Sequence, residues 1–206
     1  MTEDYCQYTT RFFSRWAPFY NLITTPVAKL RDKVVNMAEV KKDTTVLDVC
    51  TGTGGQAFAF AKRGCEVIGI DLSPDMLGIA KRTNIYKNVR FETADATSIS
   101  FRDNSFDISC ISLALHDMPF ENRHKVLDEM KRVSQKIIVI DYHIPMNKFE
   151  RWLHVSATSL YESKYYKDFA RQDLNELLGQ HDLQIYKEAY GLINFIKIVV
   201  CEASIS

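Results

Sequence analysis

From about residue 44 to residue 145 the chain alternates between two patterns. Short apolar runs rich in β-branched residues give way to stretches whose apolar positions recur at helical spacing. "TVLDVC" reads as a strand, and "QAFAFAKRG" as a helix ended by Gly64 in the position just past a C-cap. "EVIGID" is a second strand. "SPDMLGIAKR" opens a second helix, with Ser73 as N-cap and Pro74 at the first helical position. "VRFETA" and "FDISCIS" are the third and fourth strands, "NRHKVLDEMKRV" is a helix, and "KIIVIDY" is the fifth strand. Strand and helix alternating at ~20–25-residue spacing predicts right-handed crossovers and a parallel sheet covered on both faces.

The carboxy end departs from this rhythm. After a helix expected at about 168–180 come "QIYKEAY", Gly191 and "INFIKIVV", two strands whose short connection makes them pair antiparallel. The expected fold is α/β: a Rossmann-like three-layer αβα sandwich with a mostly parallel, seven-stranded sheet closed by an antiparallel C-terminal hairpin. The chain is expected to form one domain over 1–206. A helical cap broken by Pro18 and Pro26 spans 1–44, the core 45–145, a helical insertion 146–182 and the hairpin 183–206.

Composition narrows the partners. Lys+Arg and Asp+Glu both number 26, so the net charge is zero, which argues against a surface built to neutralise nucleic-acid phosphates. The start, "MTEDYCQYTT", shows no charged-then-apolar signal pattern, and no apolar run approaches the ~20 residues that cross a bilayer. A cytoplasmic protein with no integral membrane segment is expected. The five cysteines are scattered with no C-x-x-C pair and read as small buried hydrophobes in a reducing compartment. Cys50, beside the glycines discussed next, is the candidate for a reactive thiol. No H-E-x-x-H spacing occurs, and no metal is expected.

Candidate chemistry begins at "VLDVCTGTGG". Gly52, Thr53, Gly54 and Gly55 follow the first strand, where a ligand can lie against backbone free of Cβ atoms. Asp71 ends the second strand, where a carboxylate can accept from ribose hydroxyls. "GTGGQA" fits the dinucleotide pattern G-x-G-x-x-G/A, a match that alone separates no adenosine ligand from another. Three features decide against a nicotinamide cofactor. Asp48, inside the first strand, would serve a cationic ligand and repel a pyrophosphate. Asp95 in "TADA" is placed to accept from an adenine amino group. The terminal hairpin is not part of two mirrored mononucleotide-binding halves.

"VLDVCTGTG", Asp71 in "IGIDLS", "ADA" at 94–96 and the final hairpin together resemble class I S-adenosylmethionine-dependent methyltransferases, from about Val46 to Val200. "FSRWAPFYNLI", "DLSPDMLGIAKR" and "FDISCISLALHDMP" are similar to the ubiquinone/menaquinone-biosynthesis C-methyltransferases, from about Phe13 to Pro145. The resemblance implies S-adenosylmethionine as cofactor, with Gly52, Thr53 and Gly54 shaping its loop. It implies Asp71 on the ribose, Leu72 over the adenine, Asp95 and the Ala96 amide on the adenine edge, Ser112 beside the methionine portion and Asp48 on its ammonium. The chain departs from those families at His116-Asp117, where an Arg-Asn pair is usual, and at Asn21, where Asp is usual. It also lacks the Lys-Pro-Gly-Gly turn before the fifth strand, reading "VSQK" instead. The 116–117 change puts different chemistry on the loop that faces the transferred methyl.

His116, of a residue type whose ordinary pKa lies near neutrality, is the candidate general base, and Asp117 a second polar group beside the substrate. Residues 5–20 hold seven aromatics and residues 149–169 hold six, both flanking the open edge of the sheet. A small, apolar or aromatic substrate under a lid is therefore expected, with Tyr20 and Trp152 touching it; the same segments could instead form a homodimer contact. "SLALHDMP" differs from the Asn/Asp-Pro-Pro-aromatic loop of enzymes that methylate base amino groups, so nucleic acid is not the expected substrate. The expected activity is methyl transfer to a small molecule, quinone-like or another metabolite. The alternatives are a non-catalytic S-adenosylmethionine-binding domain and a different transferase chemistry on the same fold.

Overall fold

Alternate residues of each central strand are buried on opposite faces of the sheet, which is why the strands read as nearly continuous apolar runs. In the computed structural model, which describes Tyr5, Tyr8 and residues 28–145, 147–159, 162–192 and 194–203, seven strands form one sheet. They are β1 (Thr45–Val49), β2 (Glu66–Asp71), β3 (Val89–Thr93), β4 (Phe106–Ser112), β5 (Ser134–Tyr142), β6 (Leu183–Gly191) and β7 (Ile196–Ala203), in the order β3-β2-β1-β4-β5-β7-β6. β1 to β5 pair in parallel. β7 runs antiparallel between β5 and β6, so the hairpin closes one edge as expected.

Leu47, Ile70, Ile111, Ile137 and Val199 pack on one face, against Val126, Leu127 and Met130 of helix α4 (Phe120–Val133) and Leu177 of α7 (Leu174–Gly179). Val46, Val67, Ile108, Ile138 and Ile198 pack on the other. There they meet Val34 and Val35 of α1 (Ala28–Ala38), Phe60 of α2 (Gly55–Ala61) and Leu77 of α3 (Pro74–Thr83). Each such side chain contributes roughly 1.5–3 kcal/mol by leaving water. The result is the expected three layers, and the Ser73 hydroxyl caps α3 by accepting from the Met76 amide.

The helix expected at about 168–180 is two shorter pieces, α6 (Tyr166–Phe169) and α7. Asp173 separates them because its carboxylate accepts from the Asn175 and Glu176 amides, starting a new helix. α5 (Lys148–Thr158) completes the segment between β5 and β6. Among the described residues no helix is long and apolar enough to cross a membrane.

Strand order reverses between β1 and β4. Outside the carboxyl ends of those strands a crevice is unavoidable, because the connections leave to opposite sides.

Candidate active site

The chain after β1 turns through left-handed backbone at Cys50, Gly52 and Gly54 (φ 55°, 55° and 83°). Gly54 has no alternative: a Cβ there would lie 2.7 Å from Phe91 Cζ. The turn is pinned by Gly54 N–H donating to Thr51 O and Thr51 N–H donating to Ile70 O, each at 2.9 Å. Beneath it lies Asp48, whose Oδ2 accepts from Thr51 Oγ1 at 2.5 Å. Burial pushes the Asp48 carboxyl up to about 7, against the opposing effect of the Thr51 and Ala57 donors.

Asp71 is aimed by the same turn. Gly52 N–H donates to its Oδ2 and Ser73 N–H to its Oδ1, both at 2.8 Å. Each oxygen keeps a second lone pair for a hydroxyl donor. Burial raises the Asp71 pKa, and those backbone bonds restrain the rise.

Above the turn opens a cavity. Its walls combine Gly52, Asp71, Leu72 and Met76 with Asp95, Ala96 and Thr97 from the loop after β3. Ser112, Leu113, Asp117 and Met118 close it from the β4 side. Three carboxylates and no lysine or arginine line it among the described residues. That charge suits a ligand carrying positive charge and an adenosine, and opposes a diphosphate. S-adenosylmethionine fits on both counts: Leu72 and Met76 give the wall an apolar stretch, and Asp71 and Asp95 give it acceptor carboxylates.

His116 sits in a 3-10 turn (Leu115–Asp117) and is buried. Its Nδ1 lies 2.6 Å from Asp141 Oδ1, and its Nε2 lies 3.3 Å from Asp117 Oδ2 and 3.2 Å from Glu162 Oε2. Burial opposes the charged imidazole, but Asp141 and Asp117 outweigh it and hold the pKa well above its ordinary value. Asp117 is buried too, yet His116 and the Ser163 donors hold its carboxyl below the usual range. The turn is anchored by fully buried Arg123, which donates from Nε to Leu115 O and from its other nitrogens to Asp168 and Tyr165 O.

Of the residues expected from the sequence, Gly52, Asp71, Leu72, Asp95, Ala96, Ser112 and Asp117 come together on the cavity wall. Asp48, Thr53 and Gly54 belong to the turn without lining it, and His116 also lies outside the lining. Trp152 is 64% exposed on α5, stacked on Phe149 and away from the cavity. Tyr20 lies outside the described residues. Sequence reasoning missed Tyr5, Met76, Met118 and Val126, all on the wall, as well as Glu162 beside His116. Met76 carried a usable signal, lying in the first turn of the helix that follows Asp71. Leu113, with φ 54°, carried none, because nothing in a leucine announces left-handed backbone.

A family described as "Methyltransferase domain" matches residues 46–136. The chain is 30% identical over 180 residues to a demethylmenaquinone methyltransferase of Staphylococcus aureus (strain JH9), covering 80% of this chain and 74% of the relative. It is 33% identical over 145 residues to a demethylmenaquinone methyltransferase of Thermus thermophilus, covering 65% of each. The chain spans 46% to 65% of the length of the first curated relatives it matches. Among solved structures, a chain from the complex of the Haloferax volcanii Trm112 methyltransferase activator with a methyltransferase superposes with a TM-score of 0.75. That match covers 96% of this chain and 98% of the other at 16% identity, a likeness of fold.

Proposed function

Because the chain belongs to the class I S-adenosylmethionine-dependent methyltransferase family, close to its ubiquinone/menaquinone-biosynthesis group, we propose that it methylates a small, apolar or aromatic, quinone-like acceptor. The observation that carries this reading is the cavity over the Gly52 turn, with Asp71, Asp95 and Asp117 on its walls and no basic residue among its described lining.

S-adenosylmethionine supplies a sulfonium methyl already activated for in-line displacement, so much of the catalysis is positioning. We assign Asp71 to the ribose hydroxyls, Leu72 to one face of the adenine, and Asp95 with the Ala96 amide to its edge. We assign Ser112, on the cavity wall, to the methionine portion, and Asp48, beneath the turn, to its ammonium. Asp117 is the carboxylate that the turn after β4 presents to the cavity, and we assign it to hydrogen-bond the acceptor hydroxyl. His116, whose ring nitrogens already face Asp141, Asp117 and Glu162, is the positioning residue behind it. Tyr5 on the cavity wall packs edge-to-face on Tyr165, which supports Tyr5 as part of a roof. The four described cysteines are free, in keeping with a cytoplasmic setting.

The test is to incubate the protein with S-adenosylmethionine and a panel of demethylated quinols and small phenols, following S-adenosylhomocysteine and acceptor mass together. Formation of S-adenosylhomocysteine in step with a singly methylated aromatic product is expected. Tight cofactor binding with no turnover of any acceptor would contradict methyl transfer and leave a binding domain.

A further inference from the structure

Behind the cavity wall, His116, Asp117 and Glu162 bring one donor atom each to a common point. Nε2 of His116 lies 3.2 Å from Glu162 Oε2 and 3.3 Å from Asp117 Oδ2, and the three donors all fall within 4.8 Å of one another. Ligand atoms about 2.1 Å from one divalent ion, at tetrahedral or octahedral angles, lie roughly 3.0–3.4 Å apart. Both spacings from His116 fall in that range, and the three donors, within 4.8 Å of one another, need only draw the two carboxylates together to share one ion.

The other ring nitrogen of His116 is already committed. Nδ1 is 2.6 Å from Asp141 Oδ1, and fully buried Asp141 also accepts from the His116 and Tyr142 amides. With Asp141 so satisfied, Nδ1 carries the proton and Nε2 turns toward the two carboxylates. A carboxylate holding the far nitrogen of a histidine is the arrangement that orients metal-binding imidazoles. Glu162 is held in turn by the Tyr142 hydroxyl, which donates to its Oε1. Asp117 is more than nine-tenths buried; Ser163 donates to the carboxylate, yet its Oδ1 is left without a well-formed hydrogen bond.

The charge balance points the same way. Asp117, Asp141 and Glu162 surround one imidazole, so even protonated His116 leaves two negative charges in excess. The buried guanidinium of Arg123 is already shared among Asp168 and two main-chain carbonyls. Buried charge without compensation is costly, and a divalent cation removes the excess.

We infer that His116, Asp117 and Glu162 bind a first-row divalent cation of the zinc or manganese type, next to the cavity wall that Asp117 forms. One imidazole with two carboxylates is softer than the all-oxygen sets of Mg²⁺ and Ca²⁺, and lacks the thiolates that select Cu⁺. No H-E-x-x-H pattern announces the site, because its ligands come from the turn after β4 and from the segment between α5 and α6. An ion there would polarise an acceptor oxygen and favour its deprotonated form. That use rests on the methyl-transfer reading; binding of the ion does not.

The experiment is calorimetric titration of chelator-treated protein with ZnCl₂ and with MnCl₂, each sample also being titrated with S-adenosylhomocysteine. One saturable equivalent of at least one ion is expected in the unaltered chain. Asp141→Asn should weaken it about 10–100-fold, and Glu162→Gln by at least as much. His181→Asn removes the separate imidazole pair, His181 Nε2 2.8 Å from His124 Nδ1, and should leave the equivalent in place. S-adenosylhomocysteine affinity should survive Glu162→Gln, since Glu162 does not line the cavity; that result certifies the fold of the variant. No saturable binding of either ion by protein that binds S-adenosylhomocysteine would overturn the site. So would binding that Glu162→Gln leaves intact or that His181→Asn abolishes. Ion binding without S-adenosylhomocysteine binding would sink the methyl-transfer reading while the ion site stood.

Discussion

Asp48 pays for its place under the glycine turn in stability. With the folded pKa at about 7 against an ordinary 3.8, the folded state holds a proton that the unfolded chain has lost. Unfolding therefore releases that proton, and stability falls as pH rises from about 4 to about 7, then levels off. Asp48→Asn should flatten this fall: chemical-denaturation midpoints at pH 5.5 and 8.5 should lie closer together in the variant than in the parent. An unchanged gap would show that Asp48 is ionised in the folded protein throughout. Asp71 differs, because backbone donors at both oxygens make it part of the turn. Asp71→Ala should weaken S-adenosylmethionine binding by ~1–3 kcal/mol through lost ribose hydrogen bonds, and calorimetric affinity unchanged by the substitution would remove Asp71 from the site. Both aspartates were legible in the sequence, since each sits at or near the end of an apolar run. Glu162 was not, because its partner His116 lies 46 residues earlier and no local pattern links them.

At the level of elements, two joints decide whether the cavity keeps its shape. The turn between β1 and α2 depends on Gly54, where φ is 83° and a Cβ would collide with Phe91 and Phe58. Gly54→Ala should destabilise the protein by roughly 1–3 kcal/mol and depress cofactor affinity as well. A variant with parental melting temperature and affinity would mean that the turn relaxes without cost. The second joint is Arg123 on α4, which ties the 3-10 turn carrying His116 and Asp117 to α6 through Tyr165 O and Asp168. Arg123→Met should cost about 2–4 kcal/mol, read from denaturant unfolding, because the carbonyls it satisfies are left without donors. A loss below ~1 kcal/mol would contradict that role. The first joint could be read from glycine crowding alone. The second could not, because an arginine on an amphipathic helix looks solvated until its carbonyl partners are known. The split between α6 and α7 lay in between: Asp173 followed by Glu176 is a helix-start pattern that the expected continuous helix overlooked.

Across the whole molecule, alternation of pattern was enough for the sheet. β1, β2, β4 and β5 are buried on both faces, β3 at the edge on one, and each crossover helix presents one apolar stripe, so few topologies remain. The reversal of strand order between β1 and β4 then puts the crevice beside the glycine turn, and the antiparallel β6–β7 pair closes the far edge. What sequence could not supply was that Asp117 joins the other carboxylates on one wall with no basic residue among its described lining. Asp71 ends β2, Asp95 follows β3 and Asp117 sits in the 3-10 turn after β4, and only their convergence gives a wall with three carboxylates and no described basic residue. That charge distinguishes a sulfonium cofactor from a diphosphate one, and binding measures it directly. Calorimetric titration with S-adenosylmethionine, S-adenosylhomocysteine and NAD in parallel should show micromolar binding of the first two and none of NAD. Binding of NAD alone would contradict the assignment of the cavity, and every residue role built on it.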